Sequence, residues 1–324
     1  MKIKLSEIAE IPLTDIDGDD RLTDFSMDGC PEKLMDSIKV IGIRHPISVC
    51  PGGKENHYAI VSGHKRFQAA FRSGLTCVPT CIIPEIEDAS RLVINLNENF
   101  GQRHYSDIEK GCVLNKFKDA GFSDETIIEQ YIPLLELECS RKIFQDLSSV
   151  KILSSGLKKL LHRARVPVKI FSALYKWDDL TASENLFSAL KPGVNKWREL
   201  LDLIDEVAVR ENTTHGDILS CDDIQKILET SELNAHQKYD RIYRYLYSLR
   251  YPVLSDMKKQ VARALDEMDL DDKTRLKFQE TFESDELKLE LKFRNEKDLS
   301  LQVEKIFKAL QTGSVEKLIK IFTL

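Results

Sequence analysis

Apolar and polar positions follow two different periods along the first hundred residues. Short apolar runs bounded by turn residues predict strands, whereas apolar residues that recur every three or four positions predict helices with one buried face. The predicted strands cover residues 46–49, 57–61 and 78–83. The predicted helices cover residues 31–41, 65–73 and 88–97. Because strands and helices intermix, the pattern indicates a mixed α/β domain that ends near residue 104.

The helical period dominates after this domain. Ser106 and Glu109 have the spacing of a capping box, so a helix is expected to begin there and to end at Gly121. A short helix is expected to start at Ser123, and a longer one to cover residues 137–153. Strand patterns nearly vanish, and helical hairpins are expected in the rest of the chain. The predicted fold class is therefore α+β, with a helical middle and a helical C-terminal region.

The composition is that of a folded protein without a membrane span. Apolar residues make up 42% of the 324 residues, too many for an intrinsically disordered chain. No apolar run approaches the roughly 20 residues that cross a bilayer, and the sequence starts without the apolar stretch of a signal peptide. The seven cysteines are scattered and contain no Cys-x-x-Cys pair, so no zinc site is expected. These features predict a cytoplasmic protein with reduced thiols.

The net charge of −6 disfavours nucleic acid as a partner only when it is averaged over the whole chain. Residues 139–176 contain nine Lys and Arg residues and one acidic residue, Asp146, so their local net charge is +8. A segregated basic segment in an acidic protein is typical of a surface that binds a polyanion. The alternative is a solvated helical face without a partner.

The segment after the second predicted strand has the chemistry of a phosphate site. Gly63 permits a tight turn, and the helix after it begins with Lys65 and Arg66. The free N–H groups and the dipole of a helix start favour an anion, and both side chains would add charge-assisted hydrogen bonds. The alternative is a solvated basic helix start.

A second polar group lies at the end of the third predicted helix. Glu98, Asn99 and Arg103 bring a carboxylate, an amide and a guanidinium to one turn. Such a group can hold a sugar or a metal-bound phosphate. Alternatively, its members pair with one another in a local helix cap.

Three motifs occur in a recognisable order. The first is Gly42-Ile43-x-x-Pro46-Ile47-x-Val49. The second is Tyr58-x-Ile60-Val61-x-Gly63-His64-Lys65-Arg66-x-x-Ala69-Ala70-x-x-x-Gly74-x-x-x-Val78-Pro79. The third is Asn95-x-x-Glu98-Asn99. In this order and spacing, the chain resembles the ParB/sulfiredoxin superfamily, and its ParB/Spo0J-like branch in particular, over about residues 5–110.

The resemblance implies that the N-terminal domain binds CTP. It implies no metal site in the protein alone, and Mg²⁺ beside Glu98 only together with the nucleotide. The nucleotide-binding residues that it implies are Arg21, Arg44, His45, Gly63, His64, Lys65, Arg66, Glu98, Asn99 and Arg103. Hydrolysis of the nucleotide (a CTPase activity) stays open, because His64 stands where the family's glycine box has an acidic residue. No catalytic residue is assigned.

Two other functions are open for the same residues. The box from Gly63 to Arg66 is also similar to that of the free-serine kinases of the superfamily, which implies a small-molecule kinase. Alternatively, the chain is a DNA-binding adaptor whose α/β domain no longer binds a nucleotide.

The resemblance also implies a helix-turn-helix in the helical middle, where the basic segment lies. Its first helix would contain residues 127–131 and its second would open within residues 138–146, with a turn that lacks the usual glycine. The side chains suited to base edges are Ser140, Arg141, Lys142 and Gln145. The side chains expected to follow phosphates are Lys151, Lys158, Lys159, Arg163 and Arg165.

The expected function is nucleotide-controlled association with double-stranded DNA, in plasmid or chromosome partition or in related transcriptional regulation. The expected parts are a nucleotide-binding domain (1–104), a DNA-binding domain (105–176) and a helical C-terminal region (177–324) that would form a homodimer. The resemblance further implies a partition ATPase as a partner, no membrane, and a nucleoid-associated location. Tyrosines cluster with arginines at 239–251, which indicates either buried packing or stacking on nucleic acid.

Overall fold

The computed structural model describes residues 8–52, 57–270, 273–279, 282, 284 and 286–322. Its backbone forms two compact units, Met1–Leu201 and Asp202–Leu324. The mixed sheet and the helices that follow it confirm the predicted α+β class. The functional division after residues 104 and 176 stays a prediction.

The first unit begins with a five-stranded mixed sheet. Its strands are β1 (Ile8–Pro12), β2 (Ile16–Asp17), β3 (Ile47–Pro51), β4 (Tyr58–Ser62) and β5 (Cys77–Ile82). The strand order is β1-β5-β3-β4-β2, with antiparallel pairs β1–β5 and β3–β4 and parallel pairs β3–β5 and β2–β4. The three predicted strands are confirmed within two residues at each end, whereas β1 and β2 are additional.

Three helices complete this sheet domain, as the apolar spacing predicted. They are α1 (Glu32–Ile41), α2 (His64–Arg72) and α3 (Asp88–Asn99). Phe67 of α2 packs on the sheet beside Ile47, Ile60 and Val78, all three of which are fully buried. This packing fixes the start of α2 at the end of β4, where the predicted phosphate turn lies.

Seven helices follow, the last of which crosses into the second unit. They are α4 (Asp107–Asp119), α5 (Asp124–Thr126), α6 (Arg141–Ser148), α7 (Ser155–Arg163), α8 (Val168–Phe171), α9 (Leu180–Leu190) and α10 (Val194–Glu211). The capping box at Ser106 and Glu109 is confirmed. The predicted helix over 137–153 is too long. Helix α6 begins only after Ser140, whose hydroxyl accepts the N–H of Ile143 at 3.4 Å, and ends at Ser148.

Helices α4 and α6 approach each other closely through a glycine. A Cβ on Gly111 would lie 2.4 Å from the carbonyl oxygen of Leu147. The core around this contact contains Phe117 and Phe144, which are both fully buried. The basic helix α6 is thus held by its apolar side, and its other side is left to solvent.

The second unit is mostly helical. Its elements are α11 (His215–Leu219), α12 (Asp222–Glu229), α13 (Ala235–Arg250), α14 (Pro252–Glu267), β6 (Thr274–Lys277), β7 (Lys288–Leu291), α15 (Glu296–Gln311) and α16 (Ser314–Phe322). Strands β6 and β7 form an antiparallel ribbon where helical hairpins were expected. Within the described residues, every helix is too short or too polar to cross a bilayer.

Candidate functional site

A cavity of about 270 Å³ opens at the N-terminus of α2. The end of α3 and the loop between β2 and α1 complete its wall. The lining residues are Thr23, Asp24, Phe25, Ser26, Leu34, Ser62, Gly63, His64, Lys65, Arg66, Asn95, Asn99 and Arg103. The cavity therefore joins the two polar groups that the sequence pointed to, although they are about 35 residues apart along the chain.

The turn into α2 requires glycine. Gly63 has a φ of 107°, in the left-handed region that L side chains rarely adopt. A Cβ at this position would lie 3.1 Å from a guanidinium nitrogen of Arg66 and 3.2 Å from Cγ2 of Ile47. Helix α2 begins directly after Gly63, so the N–H groups of its first turn and the positive end of its dipole lie at the cavity. This geometry favours a bound anion.

Arg66 is held at the cavity by the loop that precedes β3. Its Nη1 donates to the carbonyl oxygens of His45 and Pro46. Burial lowers the pKa of Arg66, and the charge of Glu98 opposes this shift. A guanidinium stays protonated in proteins, so a cation is fixed beside the helix start.

His64 has a different role from its basic neighbours. The hydroxyl of Thr23 donates to the carbonyl oxygen of Ile60 at 2.7 Å, so it accepts the proton of His64 Nε2 at 2.8 Å. Burial lowers the pKa of His64 to about 4, which makes this imidazole neutral near pH 7. His64 therefore attaches the loop at Thr23 to the start of α2, and Lys65 and Arg66 supply the positive charge.

Two asparagines organise the opposite wall. The buried Asn95 donates from Nδ2 to the carbonyl oxygen of Val61 at 2.6 Å. Asn99, one turn later, donates from its own Nδ2 to the backbone and side-chain oxygens of Asn95 at 2.8 and 3.2 Å. Asn95 was part of the third motif but was not predicted as a site residue; its spacing of four from Asn99 was the available signal.

Arg103 connects the cavity to a buried carboxylate. Its Nη2 donates to Glu109 Oε1 at 2.6 Å, and its guanidinium carbon lies 4.5 Å from the ring centroid of Tyr105. Glu109 is 1% exposed and also accepts the N–H groups of Met27 and Ser106, each at 3.0 Å. The capping box of α4 therefore also orients a cation of the candidate site.

The same hydrogen-bonded network continues into α7. The hydroxyl of Ser106 lies 2.8 Å from Nδ1 of His162, and Nε2 of His162 lies 2.8 Å from Oδ1 of Asp28. The hydrogen bond from His162 lowers the pKa of Asp28. Arg103, Glu109, Ser106, His162 and Asp28 thus form one chain of contacts from the cavity to α7, which the sequence analysis did not predict.

This network does not have the geometry of a metal site. The ligand atoms of Asp28, Glu109 and His162 lie within 4.8 Å of one another. However, the imidazole uses one ring nitrogen toward Asp28 and the other toward Ser106 and Glu109, and these nitrogens face different directions. A single ion would take only one of them. The imidazole is therefore better described as a hydrogen-bonded bridge.

The side chains predicted to contact DNA lie on α6 and α7 or next to them in the chain. Arg141, Lys142 and Gln145 are exposed on the first two turns of α6, which Ser140 caps. The remaining candidates are Lys151, Lys159, Arg163 and Arg165, which are exposed, and Lys158, which is half-buried. Before α6, the turn without glycine is formed by Glu136, whose φ of 57° lies in the left-handed region. Glu136 therefore takes the left-handed conformation that a glycine usually has in this turn, which the sequence did not indicate.

Residues 2–100 match the family model described as the ParB N-terminal domain. Over these residues the chain is similar to ParB N-terminal domains, which confirms the predicted resemblance there. The matched residues include every lining residue of the cavity except Arg103.

Curated ParB relatives match the chain over part of their length. The probable chromosome-partitioning protein ParB of Neisseria meningitidis is 28% identical over 167 residues, which are 51% of this chain and 54% of that protein. The ParB of Coxiella burnetii is 36% identical over 88 residues, 27% of this chain and 29% of that protein. The chain therefore spans about half the length of the relative from Neisseria, and less of the other.

A solved ParB structure gives a weaker match. The C-terminally truncated ParB of Caulobacter crescentus, complexed with CTP-γ-S, is 22% identical. The alignment covers 55% of this chain and 97% of that chain, with a TM-score of 0.24. The geometry of the candidate site is therefore taken from this chain alone.

The cavity at α2 contains six of the ten residues predicted to bind a nucleotide. They are Gly63, His64, Lys65, Arg66, Asn99 and Arg103. The other four do not line it: Arg21, Arg44, His45 and Glu98 have exposed side chains, and Arg21 pairs with Asp24 at 3.0 Å. Binding of a nucleotide by either set stays a prediction.

Proposed function

We propose that the chain is a ParB-like partition protein in which a nucleotide bound at the α2 cavity controls association with double-stranded DNA. The observation that carries the proposal is the buried network from Arg103 to His162. It connects a cavity suited to phosphate with a helix that carries basic side chains. Partition of a chromosome or plasmid is the proposed setting, because the matched relatives are named chromosome-partitioning proteins.

The nucleotide would bind through its phosphates. The helix start after Gly63 and the cations of Lys65 and Arg66 are suited to phosphate oxygens, and Asn99 and Arg103 lie on the opposite wall. A cavity of about 270 Å³ suits the phosphate end, so the base and sugar would extend beyond it. The nucleotide proposed is CTP, as the family resemblance implies. Mg²⁺ would come with its phosphates, and Glu98, which lies outside the cavity and acts on Arg66 through its charge, is the carboxylate that would contact it.

The DNA would bind at α6 and α7. Arg141, Lys142 and Gln145 are exposed near the N-terminus of α6, which is the end of a recognition helix that meets base edges. The exposed cations on and after α7, among them Lys159 and Arg163, would contact phosphates and fix the orientation.

Nucleotide binding would act on DNA binding through differential affinity. A phosphate that draws Arg103 toward the cavity competes with Glu109 for the same guanidinium. Any rearrangement of Glu109 reaches Ser106 and then His162 on α7. A nucleotide that binds one arrangement of this network better than the other shifts the population toward it. Reciprocally, DNA would change nucleotide affinity by the same factor.

Nucleotide binding is tested by calorimetry with CTP, ATP, GTP and UTP, each with and without DNA. The variant Lys65→Ala is expected to weaken binding by about tenfold or more, because a charge-assisted hydrogen bond contributes about 1.5–3 kcal/mol. The matched control is Arg44→Ala, which removes an exposed cation outside the cavity and is expected to have little effect. Failure of all four nucleotides to bind under both conditions would exclude the nucleotide part of the proposal.

DNA binding is tested separately by titration of mixed-sequence duplexes at several salt concentrations. The double variant Arg141→Ala with Lys142→Ala is expected to weaken binding, with a salt slope smaller by up to about 1.8 if both side chains contact phosphates. The control pair, Lys39→Ala with Arg72→Ala, removes two exposed cations from α1 and α2. An equal loss of DNA affinity in the two double variants would show that DNA binding is not located at α6.

The two alternative functions give different outcomes in these assays. A kinase would turn over ATP or ADP without DNA and lose this turnover in Arg66→Ala. A DNA-binding adaptor would bind duplexes with the same affinity in Lys65→Ala and in the unchanged protein, and would bind no nucleotide.

A homodimer is proposed from the surface of α15. Val303, Phe307 and Leu310 share one face of this helix and are each at least half exposed. An exposed apolar helix face of this length is typical of an interaction surface. A second copy of the chain is the occupant proposed, and a partition ATPase is the further partner that the resemblance implies.

A further inference from the structure

Helix α13 carries a row of tyrosines along one side. Tyr239, Tyr243 and Tyr247 are spaced four residues apart, and their ring centroids are 6.0 and 6.2 Å apart with nearly parallel planes. Tyr239 is buried, but Tyr243 and Tyr247 are only partly covered. The buried side of α13 is completed by Ile242 and Leu246, which are fully buried. Tyr243 and Tyr247 are therefore partly exposed, and Tyr247 also packs on Tyr251 with a distance of 4.9 Å between ring centroids.

A groove of about 470 Å³ lies between α13 and α14 at these tyrosines. Besides Tyr243, Tyr247 and two serines, its lining consists of the cations Arg244, Lys258 and Lys259. No carboxylate lines it among the residues that the structure describes. This volume is typical of sites for small organic groups, and its charge selects anions.

Aromatic and basic groups are close together in this groove. The ammonium nitrogen of Lys258 lies 5.5 Å from the ring centroid of Tyr247. Asp256, the carboxylate nearest to the two lysines along the chain, accepts a hydrogen bond from Gln260 at 2.7 Å and does not line the groove. A ligand that satisfies this lining must carry flat rings together with negative charge.

We propose that the groove between α13 and α14 binds single-stranded nucleic acid. Bases would stack on Tyr243 and Tyr247, while Arg244, Lys258 and Lys259 neutralise the backbone phosphates. Bases of a duplex are stacked on each other and offer only their edges, so a duplex cannot satisfy the tyrosine rings. The groove has no lining residue in common with the cavity at α2 or with α6, and the proposal does not depend on the function assigned to them.

The proposal is tested on the full chain by fluorescence anisotropy with a labelled single-stranded oligothymidine. Tyr247→Leu is expected to weaken binding about tenfold, because it removes one stacking platform. Tyr247→Phe keeps the ring and is expected to stay within about twofold of the unchanged protein. Equal affinities of the leucine and phenylalanine variants would overturn the proposal.

A second pair of substitutions tests the charge without changing the ring stack. Lys258→Gln with Lys259→Gln is expected to reduce the salt slope of oligothymidine binding by about 1.4, which corresponds to two phosphate contacts on a single strand. Lys39→Ala with Arg72→Ala, which removes two exposed cations from α1 and α2, is expected to leave this slope unchanged. An equal reduction of the slope in both double variants would overturn the proposal.

Competition experiments distinguish a single strand from a mononucleotide and from a duplex, which also carry bases and phosphates. Unlabelled oligothymidine is expected to displace the probe at much lower concentration than thymidine monophosphate or a duplex of equal length. Displacement by the monophosphate at the same nucleotide concentration would overturn the single-strand assignment in favour of a mononucleotide site. Equal displacement by the duplex would show a general polyanion surface and would also overturn it.

Discussion

Replacement of Glu109 by alanine is the most informative perturbation of this protein. Its carboxylate accepts hydrogen bonds from Arg103 at 2.6 Å and from the N–H groups of Met27 and Ser106 at 3.0 Å. It is 1% exposed, so water cannot replace these partners after the substitution. The same carboxylate caps α4 and connects the cavity to His162, so both folding and coupling depend on it.

The magnitude follows from the burial of the ion pair. Removal of one partner from a buried pair costs about 3–5 kcal/mol, because the remaining charge stays without its counter-ion. Loss of a helix cap costs about 1 kcal/mol, and the partial exposure of Arg103 reduces the total. We therefore expect Glu109→Ala to lower the free energy of unfolding of the first unit by about 3–5 kcal/mol.

Urea denaturation followed by tryptophan fluorescence measures the free energy of unfolding of the first unit. The chain contains two tryptophans, Trp177 and Trp197, and both are buried within the first unit. The matched control is Asp119→Ala on the same helix. Asp119 pairs with Lys151 at 2.9 Å with both side chains about two-thirds exposed, so we expect a change below about 1 kcal/mol.

Two results would refute this reasoning. One is a loss below about 1 kcal/mol for Glu109→Ala, which would mean that the buried network is not a stabilising connection. The other is an equal loss in Asp119→Ala, which would mean that burial does not decide the effect. A Glu109→Ala variant that stays folded also tests coupling, because nucleotide and DNA affinities should then become independent of each other.

Three further predictions concern other parts of the chain. Burial lowers the pKa of His64 from 6.5 to about 4, so the unfolded chain takes up this proton at a higher pH than the folded protein does. The free energy of unfolding should therefore fall by about 2 kcal/mol from about pH 7 to about pH 5. His64→Gln should remove most of this pH dependence in urea denaturation. Gly111→Ala should lower the free energy of unfolding of the first unit by about 1–3 kcal/mol, because its Cβ would clash with Leu147. The control is Gly121→Ala, whose Cβ meets no other atom and which should show only the strain of its positive φ. An equal loss of stability in the two variants would contradict the close α4–α6 contact. Phe307→Glu should convert a dimer to a monomer in sedimentation velocity, and an unchanged oligomeric state would exclude the α15 surface.

Local sequence features account for much of the first unit. The strand and helix periods, the glycine turn at Gly63 and the capping box at Ser106 and Glu109 each depend on residues within one short segment. Their conformations follow from backbone sterics and short-range hydrogen bonds, which a sequence displays directly. The helices α1, α2 and α3 were therefore predicted to within a few residues, and the basic helix start was identified as an anion site.

Long-range pairing accounts for what the sequence missed in the fold. Strand β1 pairs with β5 in a register that places Ile8 opposite Cys81, and β2 has only two residues. Strands β1 and β2 form because a partner strand satisfies their backbone groups, and no local pattern records that partner. The ribbon of β6 and β7 is a different case. Strand β7 (Lys288-Leu289-Glu290-Leu291) alternates charged and apolar residues, which is a strand pattern, whereas the sequence analysis expected helices there.

The candidate site divides in the same way. The sequence by itself determined the turn at Gly63 and the positive charge of Lys65 and Arg66, because neighbouring residues create both. Only the tertiary structure decided that His64 is a neutral bridge to Thr23. The physical reason is that burial and hydrogen-bond partners set the charge of an imidazole, and these partners come from distant segments.

The network to α7 belongs wholly to the tertiary structure. His162 contacts Asp28, which is 134 positions away along the chain, and both residue types are common at exposed positions. The sequence determined where helices start and which segment carries positive charge. Packing determined which of these charges share a cavity and which buried groups connect that cavity to the basic helices, because those distances are fixed only when the core closes.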